Sequence, residues 1–185
     1  MDTTEVMATP RQHALAWVLA LGAASTACIG TDRYNPGERL GTYAVTGKLS
    51  STTCNPAPDP WTFDVKLNRQ GDTIHWVQGS VPVSGLLQGS NVVLKTSALY
   101  EMRPPDAKKK LPGCQIVRTD TLDMSLTPDP AVENGVSAFS GTLSYSFAPT
   151  ADSDCTDQLV ASGGDMQTLP CELKYSLTGA RTSTK

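Results

Sequence analysis

At 185 residues the chain has the length of one domain. Charged residues make up 18% of it and the formal net charge is −3, which sets aside both a basic nucleic-acid surface and an acidic interaction tail. Ser, Thr, Gly and Pro are abundant, and such a composition favours strands and turns over helices.

The first element is apolar. Ala14 to Ala27, "ALAWVLALGAASTA", carries no charge, has the length of a signal-peptide core and is too short to span a bilayer. Arg11 and His13 precede it, whereas Asp2 and Glu5 oppose the positive leader that export prefers; a start at Met7 removes both acids. The run ends in Ser25, Thr26, Ala27, Cys28, which resembles the lipobox of bacterial lipoproteins, with Ser25 standing where that family prefers an aliphatic residue. The resemblance implies that residues 1–27 are a cleaved signal peptide and that Cys28 is lipidated and becomes the mature N-terminus. Residues 28–40 are then a polar tether and 41–182 a single β-domain. An ordinary secretory signal cut near Ala27, with Cys28 left as a thiol or disulfide partner, is the competing reading. Both readings export the protein.

Setting Cys28 aside leaves Cys54, Cys114, Cys155 and Cys171, an even set in an exported chain, with no CxxC spacing to suggest zinc. Two disulfides are therefore expected. Pairing Cys155 with Cys171 would close one loop between two strand-like runs and leave Cys54 for Cys114.

Strands follow in close succession. "GTYAVTGKLS" (41–50) alternates Tyr43, Val45 and Leu49; "WTFDVKLN" (61–68) places Trp61, Phe63, Val65 and Leu67 on one face. "DTIHWVQG" follows the turn "RQGD" at Gly71, and "VPVSGLLQG" leads into "NVVLKTSALYEM". "LDMSLT" (122–127), "AFSGTLSYSF" (138–147) and "ELKYSLTG" (172–179) complete the series, while "CTDQLVASG" tolerates a helical turn. Gly/Pro/Asp/Asn clusters separate nearly every pair. The expectation is an all-β antiparallel meander of about eight strands, as an up-and-down barrel in preference to a two-layer sandwich. Polar outer faces such as Ser140, Thr142 and Ser144 do not supply the apolar belt of a transmembrane barrel. "GTY" at Gly41 to Tyr43 opening the first strand, with Arg181 just after the last, resembles the lipocalin and calycin barrels, although Tyr43 stands where their motif carries Trp.

Residues with chemistry are few. His75 is the single histidine after residue 28. It lies between inward-facing Ile74 and Trp76, so it is expected on the outer surface. The standard hydrolase and metalloenzyme motifs are absent. Asp152, Asp154 and Asp157 offer hard oxygens for calcium, but their spacing is not that of an EF-hand, and a solvated acidic loop is preferred. "KKK" at Lys108 to Lys110 reads as a solvated loop. Asp120 and Asp123 should point to opposite faces of one strand. A barrel lined by Trp61, Phe63, Phe139, Tyr145, Phe147 and Tyr175 would either hold an apolar ligand or be filled by those rings. The favoured function is a non-catalytic binding or structural module, without cofactor or nucleic acid, held at the bacterial envelope by its N-terminal acyl chain, at the outer membrane in preference to the inner. A barrel carrying a small apolar ligand is the alternative, and an unrecognised enzyme ranks last.

Overall fold

Period-2 alternation dictates a sheet with one dry face, and eight such strands bury that face by closing on themselves. The structure is a computed structural model and describes residues 32–183. The signal peptide expected over residues 1–27, and Cys28, lie outside the described residues. The strands are β1 (Glu38–Thr52), β2 (Trp61–Gln70), β3 (Thr73–Val77), β4 (Val83–Gln88), β5 (Asn91–Arg103), β6 (Cys114–Pro128), β7 (Val136–Pro149) and β8 (Cys171–Ser183). Each pairs antiparallel with its neighbours in sequence, and β8 returns to β1 to close an up-and-down barrel. The sandwich is thereby excluded, and the closed order is compatible with a calycin-like barrel. β1 starts at Glu38, within the expected tether, because Arg39 and Glu38 already pair with Asn68 and Arg69 of β2. "CTDQLVASG" forms two short 3₁₀ turns, Thr156–Gln158 and Val160–Ser162. No helix among the described residues is long and apolar enough to cross a membrane.

Tight turns gather at one end of the barrel. Gly71 and Gly89 adopt φ of 59° and 65°, the left-handed backbone a short hairpin requires. Tyr43, Val45, Val65, Leu67, Ile74, Val92, Met124, Phe139 and Leu177 fill the interior above them. The Tyr43 hydroxyl donates to the Val136 carbonyl at 2.7 Å, so this buried ring leaves no polar atom unpaired. Arg181 sits opposite Tyr43 on β8 and pairs with Asp129 of the β6–β7 loop, closing that end. The Gly41–Tyr43 segment and Arg181, on which the calycin resemblance rests, therefore lie side by side. Gly179 faces the Phe139 ring so closely that a Cβ there would overlap it, so the most deeply buried ring of β7 is matched by a residue without a side chain.

The other end carries the long loops and both disulfides. Cys54 bonds Cys171, with Cα atoms 5.0 Å apart, and Cys114 bonds Cys155 at 4.8 Å. This corrects the pairing of Cys155 with Cys171 and of Cys54 with Cys114. Strand pairing supplies the reason: β8 lies beside β1, so the chain leaving β1 runs along the start of β8, and the Thr53 amide donates to the Glu172 carbonyl at 2.8 Å. The β7–β8 loop folds back on β6 instead, where the Asp154 amide donates to the Gly113 carbonyl at 3.0 Å and presents Cys155 to Cys114. Two such bonds mark a chain that matures in an oxidising, extracytoplasmic compartment.

Candidate functional site

The dry filling stops about halfway along β6. Below that level Leu122, Met124 and Leu126 point inward and are buried; above it the inward positions are Asp120 and Arg118. Thr96 and Ala98 lie opposite them on β5. The Arg118 guanidinium grips the Asp120 carboxylate with two bonds of 2.7 Å, Nε to Oδ1 and Nη2 to Oδ2. It also lies over the Tyr145 ring, 4.5 Å from its centroid. A planar fork held at two of its three nitrogens and stacked on a ring has one orientation. Arg118 Nη1 and the Tyr145 hydroxyl make no hydrogen bond among the described residues.

This pair divides the open end into two chambers. One, of about 240 Å³, is bounded by Trp76, Val83, Leu94, Leu122 and Leu143 and opens sideways past Val81. The other, of about 300 Å³, lies between Trp61, Phe147, Leu173 and Tyr175 under the β1–β2 loop residues Ala57 and Pro58. Arg118 and Tyr145 line both. Rings connect the chambers to the core: Trp61 stands 5.4 Å from Tyr175 and 4.4 Å from Phe63, Phe63 6.1 Å from Trp76, and Trp76 5.7 Å from Phe139. The Tyr175 hydroxyl donates to the Pro58 carbonyl at 3.0 Å, which holds the loop over the second chamber.

Burial sets the electrostatics. It pushes the Tyr145 phenol up to about 12, with the opposing charges of Arg118 and Asp120 acting after it, so this hydroxyl is a donor at any physiological pH. Burial on its own would lower the Arg118 guanidinium, but the hydrogen bonds and charge of Asp120 outweigh it and hold it above its ordinary value. The two groups form an ion pair without net charge. Such a site repels full anions and cations less than it welcomes a neutral acceptor able to reach the free Nη1 or the Tyr145 hydroxyl.

Of the six rings expected to line an interior, Trp61, Tyr145, Phe147 and Tyr175 border the second chamber. Phe139 lies in the filled core and Phe63 packs against it. Sequence reasoning missed Arg118, Asp120 and the lining role of Trp76. Asp120 and Asp123 do point to opposite faces, half-buried and exposed in turn. His75 points away from the interior, but it is only 8% exposed, which corrects the expected surface position. Its Nδ1 lies 2.7 Å from Ser84 Oγ, its Nε2 has no partner among the described residues, and burial lowers its pKa from 6.5. Asp154 accepts from the Thr156 amide and hydroxyl, Asp157 pairs with Arg103 at 2.7 Å, and Asp152 stays exposed. No group of three His, Cys, Asp or Glu among the described residues is placed to hold a metal. Lys108 and Lys109 give their amides to Asp106 in an exposed turn.

Comparison of the chain with family models, with curated proteins and with solved structures gives no match.

Proposed function

We propose that this protein is a non-catalytic binding module of the bacterial envelope, anchored through lipidated Cys28, whose open barrel end takes up a small, mostly apolar molecule bearing a neutral hydrogen-bond acceptor. The observation that carries the reading is the Arg118–Asp120 pair projecting into the interior directly above the apolar filling, at the level where the packing ends. A barrel serving only as scaffold gains nothing from that pair, since apolar side chains would fill the same space at no desolvation cost. The second chamber, of about 300 Å³ and bordered by Trp61, Tyr145, Phe147 and Tyr175, reaches the lower end of the volume of small-molecule sites, and the first, of about 240 Å³, adjoins it at Arg118 and Tyr145. The disulfides support an exported protein, and the lipobox-like "STAC" supports the anchor.

The neutral fluorophore N-phenyl-1-naphthylamine tests the pocket. Saturable uptake with quenching of Trp61 and Trp76 is expected, and Thr96→Trp, which plugs the first chamber, should weaken it at least tenfold. Absence of saturable uptake, or uptake indifferent to the plug, would refute the reading. Mass spectrometry of the mature N-terminus tests the anchor: an unmodified Cys28 or cleavage elsewhere removes it.

A further inference from the structure

The wall of the barrel is incomplete along one seam. β4 pairs with β5 only at Leu87–Val92 and Gln88–Asn91, whereas β5 pairs with β6 from Asn91 as far as Arg103. From Lys95 to Met102, β5 therefore uses one edge, and every residue of that stretch is exposed. A free strand edge offers unpaired N–H and C=O groups to any extended chain that arrives. The seam is also apolar: Leu99, Tyr100 and Met102 on the unpaired stretch of β5, Val81 across the gap, and Val93 and Leu86 at its paired end are all at least 44% exposed. A row of bare backbone flanked by six exposed apolar side chains is the profile of an interface core.

The charges on the strand select the occupant. Lys95 and Glu101 sit on its outer face, and neither forms an ion pair among the described residues. Across β6 they meet Thr121 and Gln115, which are neutral. If a second β5 is laid antiparallel about a two-fold axis at Ala98, Lys95 of each copy falls opposite Glu101 of the other, Ser97 opposite Leu99 and Thr96 opposite Tyr100. A strand complementary to itself needs no other partner, and a two-fold contact of this kind closes without propagating into a fibre. We infer that a second copy of this chain docks here, β5 edge to β5 edge, with the two Lys95–Glu101 pairs setting the register. This inference does not depend on the ligand pocket. The contact is small, so the dimer is weak in solution and gains from confinement of both copies on one membrane.

Zero-length carbodiimide cross-linking of the exported, disulfide-intact chain reads the contact directly. Six residues apart on one strand, Lys95 and Glu101 of the same copy are about 20 Å apart and beyond such a link, so a Lys95–Glu101 cross-linked peptide joins two copies. That peptide is expected, together with a monomer–dimer equilibrium by sedimentation. Lys95→Glu should weaken the dimer about tenfold by setting like charges opposite one another, and adding Glu101→Lys should restore both dimer and cross-link. Unchanged circular dichroism and melting temperature will show that the variants fold. A strictly monomeric chain, Lys95 cross-linked only to a different protein, or a dimer indifferent to the charge reversal would each overturn the inference.

Discussion

Replacing both members of the Arg118–Asp120 pair by apolar residues, as Arg118→Met with Asp120→Leu, should leave the barrel as stable as before and remove its preference for an acceptor-bearing ligand. Two unit charges about 4 Å apart attract by about 4 kcal/mol at an effective dielectric of ~20. Withdrawing them from water costs a similar amount, so the net worth of the pair to folding is close to zero. Removing one partner is different. Arg118→Met alone leaves the Asp120 carboxylate, 24% exposed, facing rings and aliphatic chains with its two bonds lost. Fully buried orphans cost about 3–5 kcal/mol; with this residual exposure about 2 kcal/mol is expected, a fall of about 6 °C in Tm. The assay is thermal unfolding of the disulfide-intact single and double variants, with naphthylamine and a carbonyl-bearing analogue titrated into each. The double variant should melt within about 3 °C of wild type, keep some naphthylamine binding and lose the preference for the carbonyl compound. A double variant destabilised by the sum of the two singles would show that the pair serves the fold, and the functional argument would fail.

Other outcomes follow from the same packing. Partial proteolysis without reduction should release one peptide pair containing Cys54 with Cys171 and another containing Cys114 with Cys155; a Cys155–Cys171 pair would contradict the barrel's strand order. Loss of the Cys54–Cys171 bond, whose partners are 117 residues apart, should cost about 5 kcal/mol in the chain-entropy model, against about 4 kcal/mol for Cys114–Cys155 at a separation of 41. Gly179→Ala should destabilise by about 1–3 kcal/mol because its methyl group enters the Phe139 ring, and Phe139→Leu in the same chain should recover part of that loss in urea melts. Burial lowers the His75 pKa below 6.5, so the unfolded chain binds the proton more tightly. Stability is then full above pH 6.5 and declines as pH falls through the folded pKa. His75→Gln should flatten that part of the Tm–pH curve, and an unchanged slope would exclude His75 as its source.

The strands with strict alternation were legible without tertiary information. In β2, β7 and β8 large apolar residues recur at every second position apart from Gly141 and Gly179, and a strand buried on one face is the simplest way to satisfy that period. The first half of β6, "CQIVRTDT", escaped that reading. Its inward positions continue from Leu122 to Asp120 and Arg118, two charges where a core face should be apolar, so the residues that mark the site are the ones that hide the strand. His75 misled for a related reason. Alternation tells which way a side chain points, and it carries no information about whether an outer-face position is covered.

Local sequence therefore determined the class of the fold, the number of strands, the turns at Gly71 and Gly89 and the export-linked use of cysteine, since each depends on neighbours a few residues apart. Closure of β8 on β1, the crossed disulfides, the meeting of Tyr43 with Arg181, the half-filled interior around Arg118 and the free edge of β5 depend on which strands lie side by side and how long each remains paired. Only the tertiary structure decides these, because they join residues from distant parts of the chain and rest on the closure of the barrel as a whole.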